Sequence, residues 1–228
     1  MQTSGIGYGR GWARANRWAA RGNASIDMPL RDRNLQIAVS ALGSRCRQIL
    51  TLRLPRQDEE EELLRAHRAT SPEVPGFLHY YKEGMLFSRY LEVLAEQERG
   101  ANLPPNHVPT TFLFAFVATR IVGRVSIRHS LNEFLERVGG HIGYVVVPKF
   151  RRLGYATTIL SLSVQIAGEK LGIGRILVTC DDDNIGSIRT IEKNGGILEN
   201  VISGPGLDKP KRRYWIEGSR AVLTQPLR

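Results

Sequence analysis

The stretch that decides the fold is Val147-Pro148-Lys149-Phe150-Arg151-Arg152-Leu153-Gly154-Tyr155-Ala156-Thr157. It follows an apolar run at residues 141–147, which Pro148 closes, and it leads into an apolar helical pattern at residues 155–171. The sequence therefore predicts a strand, a tight basic turn and a helix in that order. The first N–H groups of a helix have no partner within the helix, and the helix dipole favours negative charge there. Gly154 lets the backbone approach a ligand closely, Ala156 keeps the first turn narrow, and two arginines add positive charge.

This pattern predicts a site for a phosphate or pyrophosphate group. The stretch lacks the Gly-Lys-Ser/Thr ending of a nucleotide P-loop and the Gly-x-Gly-x-x-Gly fingerprint of dinucleotide binding. Triphosphate hydrolysis and hydride transfer are therefore not supported. A basic helix start without any ligand is the alternative that this pattern leaves open.

The flanking sequence predicts a sheet with helices around it. Upstream we expect a strand at 49–54, helices at 58–69 and 85–98, and a hairpin formed by the runs 111–119 and 121–127. A short helical segment at 132–138 comes before the strand at 141–147. Downstream we expect a strand at 175–180, a helix at 186–193 and strands at 213–216 and 221–223. This order favours an α/β (α+β) fold whose sheet is mostly antiparallel, with one parallel crossover.

The order of motifs resembles the GNAT acyltransferase superfamily over residues 111–217. The resemblance rests on Arg-x-x-Gly-x-Ala after a strand, the strand Ile176-Leu177-Val178-Thr179-Cys180, Asn184-x-x-Ser187 at a helix start, and Glu192-Lys193-Asn194-Gly195-Gly196 at its end. Residues 139–144, 154–157 and 183–196 resemble the bacterial "predicted acetyltransferase" branch and also the branch that acetylates ribosomal-protein N-termini. The resemblance implies a mixed sheet flanked by helices, in which two central parallel strands, 141–147 and 175–180, splay apart.

The resemblance also implies where acyl-CoA binds. The pantetheine arm would lie between the splayed strands and pair with the backbone of Val145, Val146 and Val147. Backbone N–H groups would hold the pyrophosphate, namely those of Arg151, Arg152, Leu153, Gly154, Tyr155 and Ala156, with Thr157 in reserve. Asn184 would contact the pantetheine arm, cap its helix, or do both, and Ser187 would lie near the thioester sulfur.

The implied reaction is transfer of an acetyl group from the cosubstrate acetyl-CoA to an amine, by direct attack in a ternary complex. The sequence departs from the family at two places: Ile191 stands where many members have a general-acid Tyr, and His141 stands where many have a Glu base. His141 is the candidate base because an imidazole titrates near neutral pH, and packing beside the adjacent glycines is its alternative role. Ser187 is a weak candidate for protonating the thiolate. A non-catalytic acyl-CoA-binding or nucleic-acid-binding module is therefore the alternative function.

Residues 1–48 differ in composition from the rest of the chain. They contain eight arginines, no lysine and two aspartates, so they hold +6 of the net charge of +10. We expect a basic, disordered N-terminal extension over residues 1–48 and one GNAT-like domain over residues 49–228. A transit peptide, a nucleic-acid-binding arm, or upstream sequence before a later start at Met28 are the alternatives. Nucleic acid could therefore be a partner through this basic segment.

Composition excludes several other classes. The chain is 42% hydrophobic and 24% charged, which excludes a wholly disordered protein, and it has no run of about 18 uncharged apolar residues that could span a membrane. Cys46 and Cys180 match neither a zinc site nor a disulfide framework, which favours a reducing, cytoplasmic setting. The three aspartates at 181–183 share one turn and cannot all face one ion, so we expect no metal.

The acceptor is not legible in the sequence. It could be a small amine, a protein amine or an aminoacyl-tRNA, and the protein could be a monomer or a homodimer. Tyr80, Tyr81 and Phe87 are candidates for lining the acceptor side.

Overall fold

Eight strands and four α-helices make up the part of the chain that the computed structural model describes, which is residues 35–39 and 48–218, with side chains from residue 49 onward. These residues belong to one unit that begins at Arg33. The strands are β1 (Leu35–Val39), β2 (Gln48–Arg53), β3 (Thr110–Val117), β4 (Arg120–Arg128), β5 (Ile142–Val146), β6 (Arg175–Asp181), β7 (Ile197–Ile202) and β8 (Lys211–Glu217). The helices are α1 (Glu60–Thr70), α2 (Phe87–Arg99), α3 (Tyr155–Glu169) and α4 (Ile185–Lys193). Short turns of 3-10 helix occur at Gln57–Glu59, Pro75–Phe77 and Pro148–Phe150, and a π-helical turn occurs at Leu135–Gly139.

The strands form two antiparallel sheets. The larger sheet has the order β1-β2-β3-β4-β5, and the smaller sheet has the order β6-β8-β7. Strand β3 is buried on both sides because its alternate residues point into two different cores. Phe112, Phe114 and Phe116 pack with α1 and α2, whereas Leu113 and the other intervening residues pack with α3.

The two sheets meet at the start of β5. The backbone N–H of His141 donates to the carbonyl of Leu177 on β6 at 2.7 Å. Gly140 stands at this point with φ +62°, and a Cβ there would lie 2.7 Å from the Leu177 carbonyl oxygen. Only glycine permits this close approach together with this backbone conformation. Among the described residues, no ladder of hydrogen bonds joins β5 to β6 beyond this contact.

The predicted α/β fold class is confirmed, and the predicted strands and helices from residue 49 to residue 216 lie where the structure has them to within a few residues. Strand β7 was not predicted. It is largely exposed, and an irregularity in its pairing with β8 between Leu198 and Asn200 breaks the alternation that marks a strand.

At the two ends of the chain, the described structure covers only part of what the sequence predicted. Strand β1 pairs with β2 from Leu35–Leu52 to Val39–Gln48, so the sheet begins upstream of the predicted boundary at residue 49. The rest of the predicted extension, residues 1–34 and 40–47, lies outside the described residues, as does the predicted strand at 221–223. No helix in the described ranges has the length and apolar composition that crossing a bilayer requires.

Candidate active site

A cleft of about 740 Å³ lies between β5, the turn after it, and α4. This volume falls within the range of roughly 300–1,000 Å³ that is usual for ligand pockets. Ten of the predicted site residues line it, namely Val145, Val146, Arg151, Arg152, Gly154, Tyr155, Ala156, Thr157, Asn184 and Ser187. The remaining three, Val147, Leu153 and His141, are not among its lining residues.

The edge of β5 that faces away from β4 is open. The N–H of Val147 donates to Val122 at 2.9 Å, and the carbonyl of His141 accepts from Arg128 at 2.8 Å. Because hydrogen-bonded pairs alternate along an antiparallel ladder, the odd-numbered residues of β5 pair with β4, and Tyr144 and Val146 direct their backbone groups to the open edge.

Val147 has no free backbone group, since its carbonyl accepts from Phe150 at 2.8 Å. Of the three valines predicted to pair with a pantetheine arm, the ladder places only Val146 at the open edge. Leu153 lies on the far side of the turn and is 54% exposed.

The turn before α3 presents unpaired N–H groups to the cleft. Among the described residues, the N–H groups of Arg152, Gly154 and Ala156 have no hydrogen-bond acceptor. Arg152 and Gly154 both adopt left-handed backbone conformations, with φ +62° and +84°. A Cβ on Gly154 would have no heavy atom within 4 Å, so the space before it is open. Unpaired N–H groups at the start of a 15-residue helix suit an anion, so the predicted phosphate site stays a prediction that this geometry supports.

Arg151 fixes the end of β5 against this turn. Its Nε donates to the carbonyl of Val146 at 3.2 Å, and its Nη1 forms an ion pair with Glu73 at 2.6 Å. The side chain therefore holds the turn in place, and Glu73 balances part of its charge. Two further cations, Arg189 and Lys193, line the cleft from α4. Sequence reasoning missed them, although their spacing of four residues places both on one side of a helix.

Asn184 caps α4. Its Oδ1 accepts from the N–H of Ser187 at 3.0 Å, so the capping role left open by the sequence is confirmed. The side-chain NH₂ of Asn184 has no acceptor among the described residues, and it lies on the cleft where it can donate to a ligand.

Tyr144 is a site residue that the sequence analysis missed. Its hydroxyl is buried close to the side chains of Ser187 and Thr190, and it forms no hydrogen bond of regular geometry in the described part of the chain. Burial raises the pKa of Tyr144 to about 12. The alternation of side chains along β5 was the signal that could have identified it, because a large polar residue two positions before Val146 shares its side of the strand.

His141 lies at the junction of the two sheets and is 8% exposed. Its Nδ1 accepts from the N–H of Leu177 at 2.9 Å, so the neutral ring holds its proton on Nε2. Burial, with a smaller effect from the nearby charge of Arg128, lowers the pKa of His141 to about 4. This geometry favours the packing role that the sequence left open, and the role of general base stays a prediction.

Two other predictions concern residues near α4. Ile191 is fully buried in the core, so the place where many family members have a general-acid Tyr does not reach the cleft. Each of the three aspartates at 181–183 has a basic partner: Lys211 for the first, Arg212 for the second at 2.6 Å, and Lys209 for the third at 2.7 Å. No group of three or more His, Cys, Asp or Glu residues in the described ranges could hold a metal ion.

A mixed α/β domain with an open strand edge beside an anion site has the architecture of the acyltransferases that this sequence resembles. The family model of the acetyltransferase (GNAT) domain matches residues 50–197, and the chain belongs to this family. The predicted family is therefore confirmed. No curated protein matches the sequence.

Three solved structures illustrate the shared fold. RimJ of Mycobacterium smegmatis, in complex with CoA-disulfide, is 16% identical with a TM-score of 0.59, and the match covers 82% of this chain and 88% of RimJ. The microcin C7 self-immunity acetyltransferase MccE, in complex with acetyl-CoA and AMP, is 20% identical with a TM-score of 0.54, covering 74% and 92%. The ribosomal-protein-S5-alanine acetyltransferase of Vibrio fischeri is 12% identical with a TM-score of 0.54, covering 81% and 97%.

Proposed function

We propose that this protein is an N-acetyltransferase that moves an acetyl group from acetyl-CoA to an amine acceptor by direct attack in a ternary complex. The observation that supports this most strongly is the pair of binding features in one cleft. An open strand edge on β5 suits the amides of a pantetheine arm, and the unpaired N–H groups of Arg152, Gly154 and Ala156 suit a pyrophosphate. Structural relatives that bind acetyl-CoA or CoA agree with this assignment.

The chain's own residues would bind and orient the cosubstrate. Tyr144 and Val146 offer backbone groups at the open edge, and the side-chain NH₂ of Asn184 offers a further donor from the opposite wall. Arg189 and Lys193 add positive charge beside the phosphates. Acetyl-CoA supplies the activated acyl group. Holding the thioester and the amine in a fixed orientation contributes several kcal/mol to the rate.

The reaction requires a neutral amine and a proton for the departing thiolate. The amine nitrogen bonds to the thioester carbon, the carbon–sulfur bond breaks, the amine loses one proton and the thiolate gains one. The hydroxyls of Tyr144 and Ser187 are adjacent in the cleft, and they are the groups that can supply a proton to sulfur. His141 has its Nδ1 occupied by the Leu177 N–H, so water is the simplest acceptor for the amine proton.

The acceptor itself is proposed only as an amine. A small molecule, a protein amine and an aminoacyl-tRNA are the three classes considered, and a structural relative named for a ribosomal protein is in line with the second class. A location in the cytoplasm, a monomeric or homodimeric state and contact with nucleic acid stay predictions. The non-catalytic module stays an alternative because the buried Ile191 occupies the usual place of the general acid.

The test is turnover by the full chain with acetyl-CoA and a panel of amines. The panel contains amino acids and their amides, polyamines, peptides with free N-termini and aminoacyl-tRNA, and the readouts are release of CoA thiol and mass spectrometry of the acceptor. We expect acetylation of at least one amine. Binding of acetyl-CoA without turnover on any amine would support the non-catalytic module, and absence of binding would overturn the assignment of the cleft.

A further inference from the structure

A second pocket, of about 200 Å³, lies on the side of the larger sheet that α1 and α2 cover. Its lining includes His79, Tyr80, His107, Phe112, Ser126 and Arg128. Tyr80 was predicted to line the acceptor side, whereas Phe87, another candidate, is buried in the core beside α1 and does not reach this pocket.

Arg128 lines this pocket, and Arg124 lies behind its lining, where it donates to Nε2 of His79 at 3.1 Å; no carboxylate in the described ranges balances either charge. Arg124 and Arg128 project from alternate positions of β4 on the same side of the sheet, and Arg124 is only 6% exposed. Neither guanidinium has an Asp or Glu partner among the described residues. Arg128 donates to the carbonyls of Gly139 and Gly140, and Arg124 donates to the carbonyl of Gly76. The Nε of Arg124 has no acceptor in the same part of the chain.

Burying these positive charges is unfavourable in free energy unless an anion pairs with them. Buried charges in proteins are normally paired, because removing a charge from water costs several kcal/mol that dipoles alone offset poorly. Burial lowers the pKa of Arg124 to about 10, and it also lowers the pKa of Arg128. Burial and the nearby arginines lower the pKa of His79 to about 4, which keeps that imidazole neutral and able to donate a hydrogen bond rather than add to the charge.

The backbone around the pocket is also strained. Tyr80 and Asn106, which both line it, have left-handed conformations with φ +65° and +62°. Non-glycine residues in this conformation carry a steric cost and cluster at ligand sites. The hydroxyl of Tyr80 is held by Nδ1 of His107 at 2.8 Å, which fixes the aromatic wall in place.

The pocket adjoins the same strand as the cleft. Ser126, in its lining, donates through Oγ to the carbonyl of Gly143 at 3.2 Å. Gly143 is the residue before Tyr144, and it presents no side chain toward Ser126 or Arg128. A molecule in the pocket would therefore lie one residue along β5 from the start of the cleft, which places it on the acceptor side of a bound thioester.

We infer that this pocket binds an oxyanion of the acceptor, a carboxylate or a phosphate, and that the acceptor is an amine carrying such a group close to its nitrogen. This inference rests on the proposed function. The guanidinium of Arg128 would contact the oxyanion, and Phe112 and Tyr80 would exclude water around this pair. Arg124 would add positive charge from behind the lining, through its contact with His79. A polycationic acceptor such as a polyamine is correspondingly disfavoured, because like charges repel most strongly where solvent is excluded.

The experiment compares acceptors that differ only in the anion. One pair is an amino acid and its carboxamide, and the other is an aminoalkyl phosphate and the parent amino alcohol. With the wild-type full chain we expect kcat/KM to be at least about tenfold higher for an anionic member. A preference confined to one pair identifies the anion as carboxylate or as phosphate.

Arg128→Met removes the charge with little change in length, and we expect the preference to fall to within about twofold while CoA affinity is kept. Arg128→Lys should retain the preference. Arg120→Met is the matched control, because Arg120 lies at the other end of β4, is 47% exposed and pairs with Glu62. If Arg128→Met does not fold, the wild type decides: with acetyl-CoA saturating, so that its own phosphate site is occupied, inorganic phosphate should still raise the KM for the acceptor.

Equal use of both members of each pair, or best use of polyamines, would overturn the inference while leaving the acetyltransferase activity established. If no amine is acetylated, the proposed function fails, and calorimetry of the anionic compounds with the wild type and Arg128→Met then tests the pocket alone. Absence of anion binding in that titration would also overturn the inference.

Discussion

Replacing Gly154 with Asp tests the anion site directly. The substitution introduces a carboxylate into the open space beside the unpaired N–H groups of the turn. Two unit charges about 5 Å apart repel by about 3 kcal/mol at an effective dielectric constant of about 20. Since about 1.4 kcal/mol is a factor of ten in affinity, we expect the Kd for CoA to rise by more than about 100-fold, measured by isothermal titration calorimetry.

Backbone strain must be separated from charge. Gly154 has φ +84°, and any other residue in this region costs roughly 1–2 kcal/mol. Gly172 is a matched control because it has φ +69°, is exposed, and would likewise place a Cβ with no heavy atom within 4 Å. It lies beyond the far end of α3, and a 15-residue helix is about 22 Å long. Gly172→Asp should therefore lower the melting temperature about as much as Gly154→Asp and leave CoA affinity unchanged.

Gly154→Ala adds the strain without the charge, and we expect it to weaken CoA binding by less than about fivefold. The reasoning fails if Gly154→Asp binds CoA within threefold of the wild type. It also fails if Gly172→Asp loses as much affinity as Gly154→Asp, because the effect would then come from the fold and not from the turn.

Four further predictions concern the site and the sheet. His141→Ala should destabilise the fold by about 1–3 kcal/mol, because it leaves the buried N–H of Leu177 unpaired. His141→Asn should restore most of this stability. A wild-type melting temperature of His141→Ala together with a roughly 100-fold loss of kcat would instead establish His141 as the general base. Because the pKa of His141 falls from 6.5 to about 4 on folding, the wild type should lose stability relative to His141→Asn as pH drops from about 6.5 to about 4 in urea unfolding. Tyr144→Phe should lower kcat by about tenfold or more with CoA affinity kept, and wild-type turnover would show that its hydroxyl takes no part. A chain that starts at Arg33 should bind CoA within threefold of the full chain. A chain that starts at Arg47 lacks β1, the strand paired with β2, and should therefore unfold at a lower temperature. Equal melting temperatures of the two chains would show that β1 adds no stability.

The turn and the two strands around it could be predicted from the sequence because local chemistry determines them. Pro148 ends one element, Gly154 permits the left-handed conformation that begins the next, and the apolar run of α3 continues for four turns. Asn184 likewise has a side chain that suits an N-cap wherever a helix follows. Because these features depend only on residues that are neighbours in the sequence, the sequence pattern predicts them.

The site residues that could not be predicted from the sequence are determined by strand pairing, which decides the edge and the side of a strand that remain accessible to a ligand. Val147 and Val146 are equally apolar, and only the register with β4 shows that one has its N–H in the ladder and the other does not. The unpaired charge of Arg128 is also invisible in sequence. A strand-end arginine is ordinarily solvated. The partial burial of Arg128 without a carboxylate results from packing by the loop that contains His79 and Tyr80, far upstream in the sequence.

His141 joins the two sheets at a point between the cleft and the pocket of Arg128. Its backbone N–H and its Nδ1 both bond to Leu177, and Gly140 beside it permits the approach. These bonds join β5 to β6 at one point, and beyond that point no strand among the described residues pairs with this edge of β5. Its one side-chain contact there, within the same part of the chain, is the bond from Nε of Arg151 to the carbonyl of Val146. From Tyr144 onward, the open edge of β5 faces the cleft. At Gly143, which has no side chain, the same strand lies next to Arg128 of the second pocket. An acyl donor and an anionic acceptor would then approach β5 from two sides, and the junction at His141 would set the distance between them.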